Sequence, residues 1–183
     1  MNRAGRTKEI IYPPLFALLM AVCSWINIPS AVPFTMQTFA VAMTLFILGG
    51  KRGTISLAVY LFMGAIGLPV FHGFTAGPGV IMSSTGGYLL GFVLMGLVYW
   101  GVTYLGKDRL WSRISGMVFG MSVCYGMGTC WFMLWYTDGI SAASFAAALG
   151  ICVVPFIIPD IIKILLALWA ASKIEGHTGK LYL

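Results

Sequence analysis

The chain has 183 residues, of which 60% are hydrophobic and only 9% charged, against roughly 25% charged in soluble domains. Too few polar side chains remain to clothe a water-facing surface, so an ordinary soluble domain is excluded, and the length suits one domain over 1–183. The net charge of +6 does not point to nucleic acid, because the Lys and Arg residues form no basic stripe and sit in short clusters between apolar runs.

The runs follow in order. A basic start (Arg3, Arg6, Lys8) leads into Ile10–Ile28, and a Pro-bounded break covers Pro29–Pro33. The second run, Phe34–Leu48, ends at Gly49-Gly50-Lys51-Arg52, and the third covers Ile55–Val70. A Gly-rich loop, His72–Ser84, carries no Lys, Arg, Asp or Glu. The fourth run is Thr85–Leu105, followed by Lys107, Asp108, Arg109 and Arg113. The fifth is Ile114–Tyr136, closed by Asp138-Gly139. The last, Ala142–Ala171, is interrupted only by Asp160 and Lys163. Crossing the hydrocarbon takes about 17–25 helical residues. Four runs reach that length, the second and third fall slightly short, and the last is too long for one straight span. Its span is expected near Gly150–Ala171, with Ala142–Leu149 partly interfacial. Transmembrane β-barrels show alternation of apolar and polar residues instead of continuous apolar runs. The expected fold is therefore an all-α membrane protein, a single bundle of six transmembrane helices.

Charge orients the bundle. With six spans, ten of the eleven Lys and Arg fall on one side, the eleventh being Lys163. Basic loops stay cytoplasmic, so both termini are expected inside, in a multi-pass protein of the cytoplasmic membrane. Trp25, Tyr104, Trp111, Trp131, Trp135 and Tyr136 lie near run ends, as interfacial aromatics do. The first run is longer than the usual ~7–15-residue signal h-region and lacks a small-x-small cleavage site, which argues for a span over a cleaved leader.

Catalytic and energy motifs are missing: there is no G-x-x-x-x-G-K-[ST], no H-E-x-x-H and no G-x-S-x-G. Cys23, Cys124, Cys130 and Cys152 lie in apolar runs with no C-x-x-C spacing and read as small hydrophobes. No metal site is expected. Uphill movement would need an ion gradient or a partner.

Asp160 and Lys163 are the only formal charges inside an apolar run. Such charges cost about 2.5–3.5 kcal/mol at the bilayer centre and tend to face a protein interior in pairs. Three residues apart, they share one helix face. Pro155 and Pro159 each remove a helical hydrogen bond and are expected to kink the helix there. The bland alternative is a lysine snorkelling to the inner interface beside a neutralising Asp. Ser83-Ser84-Thr85-Gly86-Gly87-Tyr88 offers hydroxyls and N–H groups at a helix start, with Ser84 or Thr85 as N-cap. Gln37 and Thr38 are polar residues early in the second span, where interhelical hydrogen bonding is the simpler role. Ala17-x-x-x-Ala21, Gly87-x-x-x-Gly91 and Gly116-x-x-x-Gly120 permit close helix packing or a partner contact.

Pro33-Phe-Thr-Met-Gln-Thr38, Gly64-Ala-Ile-Gly-Leu-Pro-Val-Phe71, Thr85-Gly-Gly-Tyr88 with Gly91-Phe92, and Pro159-Asp-x-x-Lys163 together resemble the BioY family. These are biotin-specific substrate-binding (S) components of energy-coupling factor (ECF) transporters. The resemblance spans nearly the whole chain. It implies a six-helix S-component bundle with cytoplasmic termini in a prokaryotic cell membrane. It implies high-affinity biotin binding and uptake, not enzymatic activity, with biotin as transported ligand and no cofactor. The implied partners are a transmembrane coupling (T) component and two ATPase subunits, which would account for the missing P-loop. Asp160 and Lys163 carry over as ligand residues, together with Thr85, Gly86, Tyr88 and Gln37. Ala17 and Ala21 carry over as the surface that docks on the T component. A carboxylate and an ammonium suit the N–H groups and carbonyl of a ureido ring, and Phe71, Phe74, Tyr88 and Trp131 offer apolar walls. The alternatives are an S component for another vitamin, a small membrane enzyme using Asp160 and Lys163 in acid–base work, and a purely structural membrane subunit.

Overall fold

A computed structural model describes residues 3–28, 34–136 and 142–178. Its helices are α1 (Arg3–Trp25), α2 (Gln37–Ala65), the short α3 (Pro78–Ile81), α4 (Gly86–Leu105), α5 (Leu110–Tyr136), α6 (Ala142–Cys152) and α7 (Val154–Thr178). A two-residue antiparallel pair, β1 (Asn27–Ile28) with β2 (Phe34–Thr35), joins α1 to α2. The expected break at Pro29–Pro33 and the closing Asp138-Gly139 lie outside the described residues.

Four of these helices, α2, α4, α5 and α7, are long and apolar enough to cross a membrane, and the apolar part of α1, Ile10–Trp25, is shorter. Together with the family relationships given below, they make the chain a multi-pass membrane protein. Large apolar side chains such as Leu15, Leu18, Ile158 and Trp169 are more than half exposed on the outer faces, as lipid contact requires.

The second and third apolar runs join in one element, α2, but not in one straight helix. Gly49 (φ 71°, ψ 177°) breaks it, in a region of backbone space essentially restricted to glycine. A Cβ added to Gly53 would lie 3.2 Å from Leu45 Cα. Residues eight apart in a straight helix are about 12 Å apart, so the two halves double back on one another at Gly49.

Small residues set the interior spacing. Gly91 of α4 faces the Cys124 backbone of α5, and Gly120 of α5 faces Met95 of α4. Gly87 and Gly116 make similar approaches to Trp131 and Tyr99. Both Gly-x-x-x-Gly pairs thus serve α4–α5 packing.

The bundle has two chemically distinct ends. At one, the buried Arg113 guanidinium donates to Asp108 Oδ1 (3.0 Å), to Glu175 Oε1 and Oε2 (2.6 and 3.1 Å) and to the Phe46 carbonyl (3.2 Å). That network gathers the loop before α5, the end of α7 and the residues before Gly49, and with them Lys51, Arg52, Lys107, Arg109 and Lys173. At the other end, α1 terminates against the loop 66–77. Ser24 Oγ is 2.7 Å from the Val70 carbonyl, and Trp25 Nε1 donates to the Pro69 carbonyl at 3.0 Å.

The final run departs from expectation. It is two helices parted at Val153, so Pro155 falls in the first turn of α7, where a missing N–H costs nothing. Only Pro159 lies inside the helix. Asp160 is then six residues, about 9 Å, below the start of α7, closer to the loop end than a span beginning at Gly150 would place it.

Candidate ligand-binding site

The cavity lies at the loop end, between β2, the start of α2, α4, α5, the α6–α7 junction and α7. It encloses about 640 Å³ of empty space counting its open mouth and the solvent there. Its polar lining comes from Thr35, Gln37, Thr38, His72, Thr85, Tyr88, Tyr125, Asp160 and Lys163, and its apolar lining from Leu89, Phe92, Met121 and Phe156, with Cys124 and Cys152.

The chemistry centres on α7. Asp160 and Lys163 are each 5% exposed, and Lys163 Nζ donates to Asp160 Oδ1 at 2.9 Å. Partners from elsewhere hold both groups. Lys163 Nζ also donates to the Thr35 carbonyl at 2.7 Å and sits 4.0 Å from the centre of the Phe34 ring. Tyr125 of α5 donates its hydroxyl to Asp160 Oδ2 at 2.6 Å. Phe34 stacks in turn on Phe156, centroids 6.0 Å apart. This geometry rules out snorkelling: the ammonium is buried against the β-hairpin and does not reach an interface.

Valence leaves room for a ligand. An ammonium has three donors and a carboxylate about four acceptor positions. Two of each are engaged here, so the pair can still donate to a carbonyl and accept from N–H groups without breaking its own contacts. A ligand matching that pattern would replace water at groups whose burial makes unsatisfied valences costly.

The expected residues Gln37, Thr85, Tyr88, Asp160 and Lys163 all line this one cavity. Gln37 Nε2 donates to Tyr60 Oη at 2.9 Å, and Tyr60 donates onward to the Val70 carbonyl at 3.0 Å. Tyr88 Oη is 3.3 Å from Thr129 Oγ1, and its ring lies over Gly128, where a side chain would collide with it. Thr85 occupies the N-cap position of α4 but makes no capping hydrogen bond with its side chain. Its hydroxyl lies 3.4 Å from Ser83 Oγ, which itself donates to the Val80 carbonyl. Gly86 is a packing residue behind the wall, where an added Cβ would strike the Ile81 carbonyl.

The other proposed walls sit elsewhere. Phe71 is fully buried, packed edge-to-face on Tyr60 and over Gly64. Phe74 stacks outside on Trp25, centroids 4.7 Å apart. Trp131 donates from its indole to the Ser83 carbonyl at 2.9 Å. Trp25 and Trp131 thus pin the two loops that flank the cavity. Ala17 and Ala21 are buried in the core, 0% and 1% exposed, so in this structure they pack inside the bundle and offer no open face to a partner.

The BioY family model matches residues 1–180. The chain belongs to the BioY family. It is 35% identical to the biotin transporter BioY of Thermotoga maritima over 170 residues, covering 92% of this chain and 96% of that one. It is 32% identical to a probable biotin transporter BioY of Pyrococcus horikoshii over 174 residues, covering 94% and 99%. Its fold matches the crystal structure of the S-component for biotin from an ECF-type ABC transporter, TM-score 0.82, over 98% of this chain and 97% of that one. At 22% identity that likeness speaks for the fold alone.

The structure adds members that spacing along the sequence did not single out. Tyr125 is the most consequential, since it holds the second carboxylate oxygen; it is one of several hydroxyls in that apolar run, with Ser115, Ser122 and Thr129, and nothing in the sequence set it apart. Thr35 acts through its backbone carbonyl, which no side-chain pattern reveals. His72 lines the cavity from the loop, and burial lowers its pKa below the usual imidazole value, so it is neutral at pH 7.

Proposed function

We propose that this chain binds biotin and carries it across the cytoplasmic membrane as the S component of an ECF-type transporter. It has no enzymatic step of its own, and a T component and two ATPase subunits supply the energy. The observation that carries this reading is the buried Asp160–Lys163–Tyr125 cluster, with unused donors and acceptors, facing a cavity with a mixed polar and apolar lining. A ureido ring presents the complementary set, two N–H donors and one carbonyl, and Leu89, Phe92, Met121 and Phe156 suit its bicyclic body. Asp160 and Lys163 are assigned the ureido group, with Tyr88, Thr85 and Gln37 along the wall. Gly86 contributes by keeping the wall close.

The bundle reads as six spans: α1, the two halves of α2 on either side of Gly49, α4, α5 and α7. The doubling back at Gly49 and the gathering of basic loops around Arg113 support that count, with both termini inside. A reporter fused at Gly139 should read outside; a cytoplasmic signal would overturn the topology.

Thermal unfolding of the purified chain against a panel of vitamins tests the ligand. Biotin alone should raise the midpoint, by linkage of binding to the folded state. A larger shift with another vitamin would reassign the substrate, and no shift with any would leave a structural subunit.

A further inference from the structure

Among the described residues, Asp160 and Lys163 are the only Asp, Glu, Lys or Arg that line the ligand cavity, and they face one another at 2.9 Å. The other Lys and Arg lie before Ile10, at 51–52, at 107–113 and after Ala171. The helices carry those segments away from the cavity. α4 starts beside the cavity and ends 20 residues later, about 30 Å on, just before Lys107. α1 runs 23 residues from its basic start to Trp25 at the loop end. Lys173 follows Asp160 by thirteen residues, about 20 Å along α7. Residues 29–33 and 137–141, which adjoin β2 and α5 in the chain, contain no Lys, Arg or His.

A carboxylate entering this cavity therefore meets one cation, and that cation is engaged. Lys163 Nζ donates to Asp160 Oδ1 and, at 2.7 Å, to the Thr35 carbonyl. A second carboxylate on the remaining N–H would lie beside the first, and like charges sharing a site oppose one another. The rest of the polar lining includes Gln37, Thr38, His72, Thr85 and Tyr88. All are uncharged at pH 7, His72 because burial lowers its pKa. Such groups can hydrogen-bond an amide or ester as well as an acid, whereas burying an unpaired carboxylate is costly.

We propose that the site recognises the ureido head of its ligand and is indifferent to the charge of the tail, so that uncharged amides and esters of biotin are ligands of the same rank as biotin. This rests on the assignment of biotin to the cavity and of its ureido group to Asp160 and Lys163. The end of the tail stays in water at the cavity mouth, where a carboxylate keeps its hydration and an amide forfeits nothing.

Calorimetry on the purified full chain in detergent at pH 7 tests this with biotin, biotinamide, biotin methyl ester and 2-iminobiotin. The amide and the ester should each bind within about fivefold of biotin. 2-Iminobiotin, whose ureido oxygen is replaced by nitrogen, should bind at least tenfold more weakly, because the site then loses a partner it was built to bond. Lys163→Met should weaken biotin and biotinamide by the same factor; the wild-type comparison stands whether or not that variant folds. A loss beyond about fivefold for the amide or the ester would overturn the proposal while leaving biotin as the ligand. So would a Lys163→Met penalty confined to biotin, which would put the tail carboxylate on Lys163, and so would 2-iminobiotin binding as tightly as biotin. No binding of biotin itself would overturn the underlying assignment, and the proposal with it.

Discussion

Removing one charge from the Asp160–Lys163 pair should do two separable things. Both groups are 5% exposed and joined at 2.9 Å. Asp160→Asn leaves a buried ammonium with the Thr35 carbonyl as its remaining full acceptor. Lys163→Met leaves a buried carboxylate with Tyr125 alone. Breaking a buried pair from one side costs about 3–5 kcal/mol, whereas replacing both partners is often close to neutral. The double variant Asp160→Asn/Lys163→Met should therefore be more stable than either single. Ligand binding should follow another order. All three variants lose a ureido contact, so all three should bind biotin at least tenfold more weakly, about 1.4 kcal/mol or more. Chemical unfolding in detergent reads the first effect and calorimetry the second. Single-variant costs that simply add in the double would refute the paired-charge reasoning. Unchanged biotin affinity in any of the three would remove that residue from the site.

Three further outcomes are expected. Tyr125→Phe deletes the 2.6 Å hydrogen bond to Asp160 and should cost about 1.5–3 kcal/mol of folding stability, read by chemical unfolding in detergent; no measurable loss would mean the hydroxyl does not hold the carboxylate. His72 has a folded pKa below its unfolded value. The unfolded state then binds more protons as pH falls, so stability present above about pH 6.5 declines toward acid. His72→Gln should flatten the wild-type fall in melting temperature between pH 7 and 5, and an unchanged slope would place the titration elsewhere. Gly49→Ala forces a side chain into φ 71°, ψ 177° and should cost about 1–3 kcal/mol in unfolding experiments; no measurable cost would mean the turn does not need that conformation.

Long-range order was the more legible part of the sequence. The apolar runs mark the helices, and Gly49-Gly50-Lys51-Arg52 marks the turn that α2 makes. Boundaries set by tertiary contacts were not legible. Val153, not Gly150, separates α6 from α7, because nothing in Leu149-Gly150-Ile151-Cys152-Val153-Val154 distinguishes a helix break from a flexible helix. Within the site, the charged pair stood out because charge in an apolar run is expensive wherever it points. Aromatic residues did not sort themselves: Phe71, Phe74 and Trp131 hold loops in place, while Phe92 and Phe156 line the cavity, and composition is the same for both uses. Ala17 and Ala21 show the same limit, since a stripe of small residues permits close approach without naming the neighbour.

The hydrogen bonds from Gln37 through Tyr60 to Val70 all point one way. Each donor on that path hands its proton toward the loop 66–77, and the loop's carbonyl also receives Ser24 from α1. Gln37 is thus the cavity-side end of a line whose far end is the seam between α1 and the loop. Ser24 and Val70 are both buried, 0% and 5% exposed, so the path ties the cavity wall to the interior of the bundle, and a change at Gln37 is transmitted to the α1 end through two hydrogen bonds.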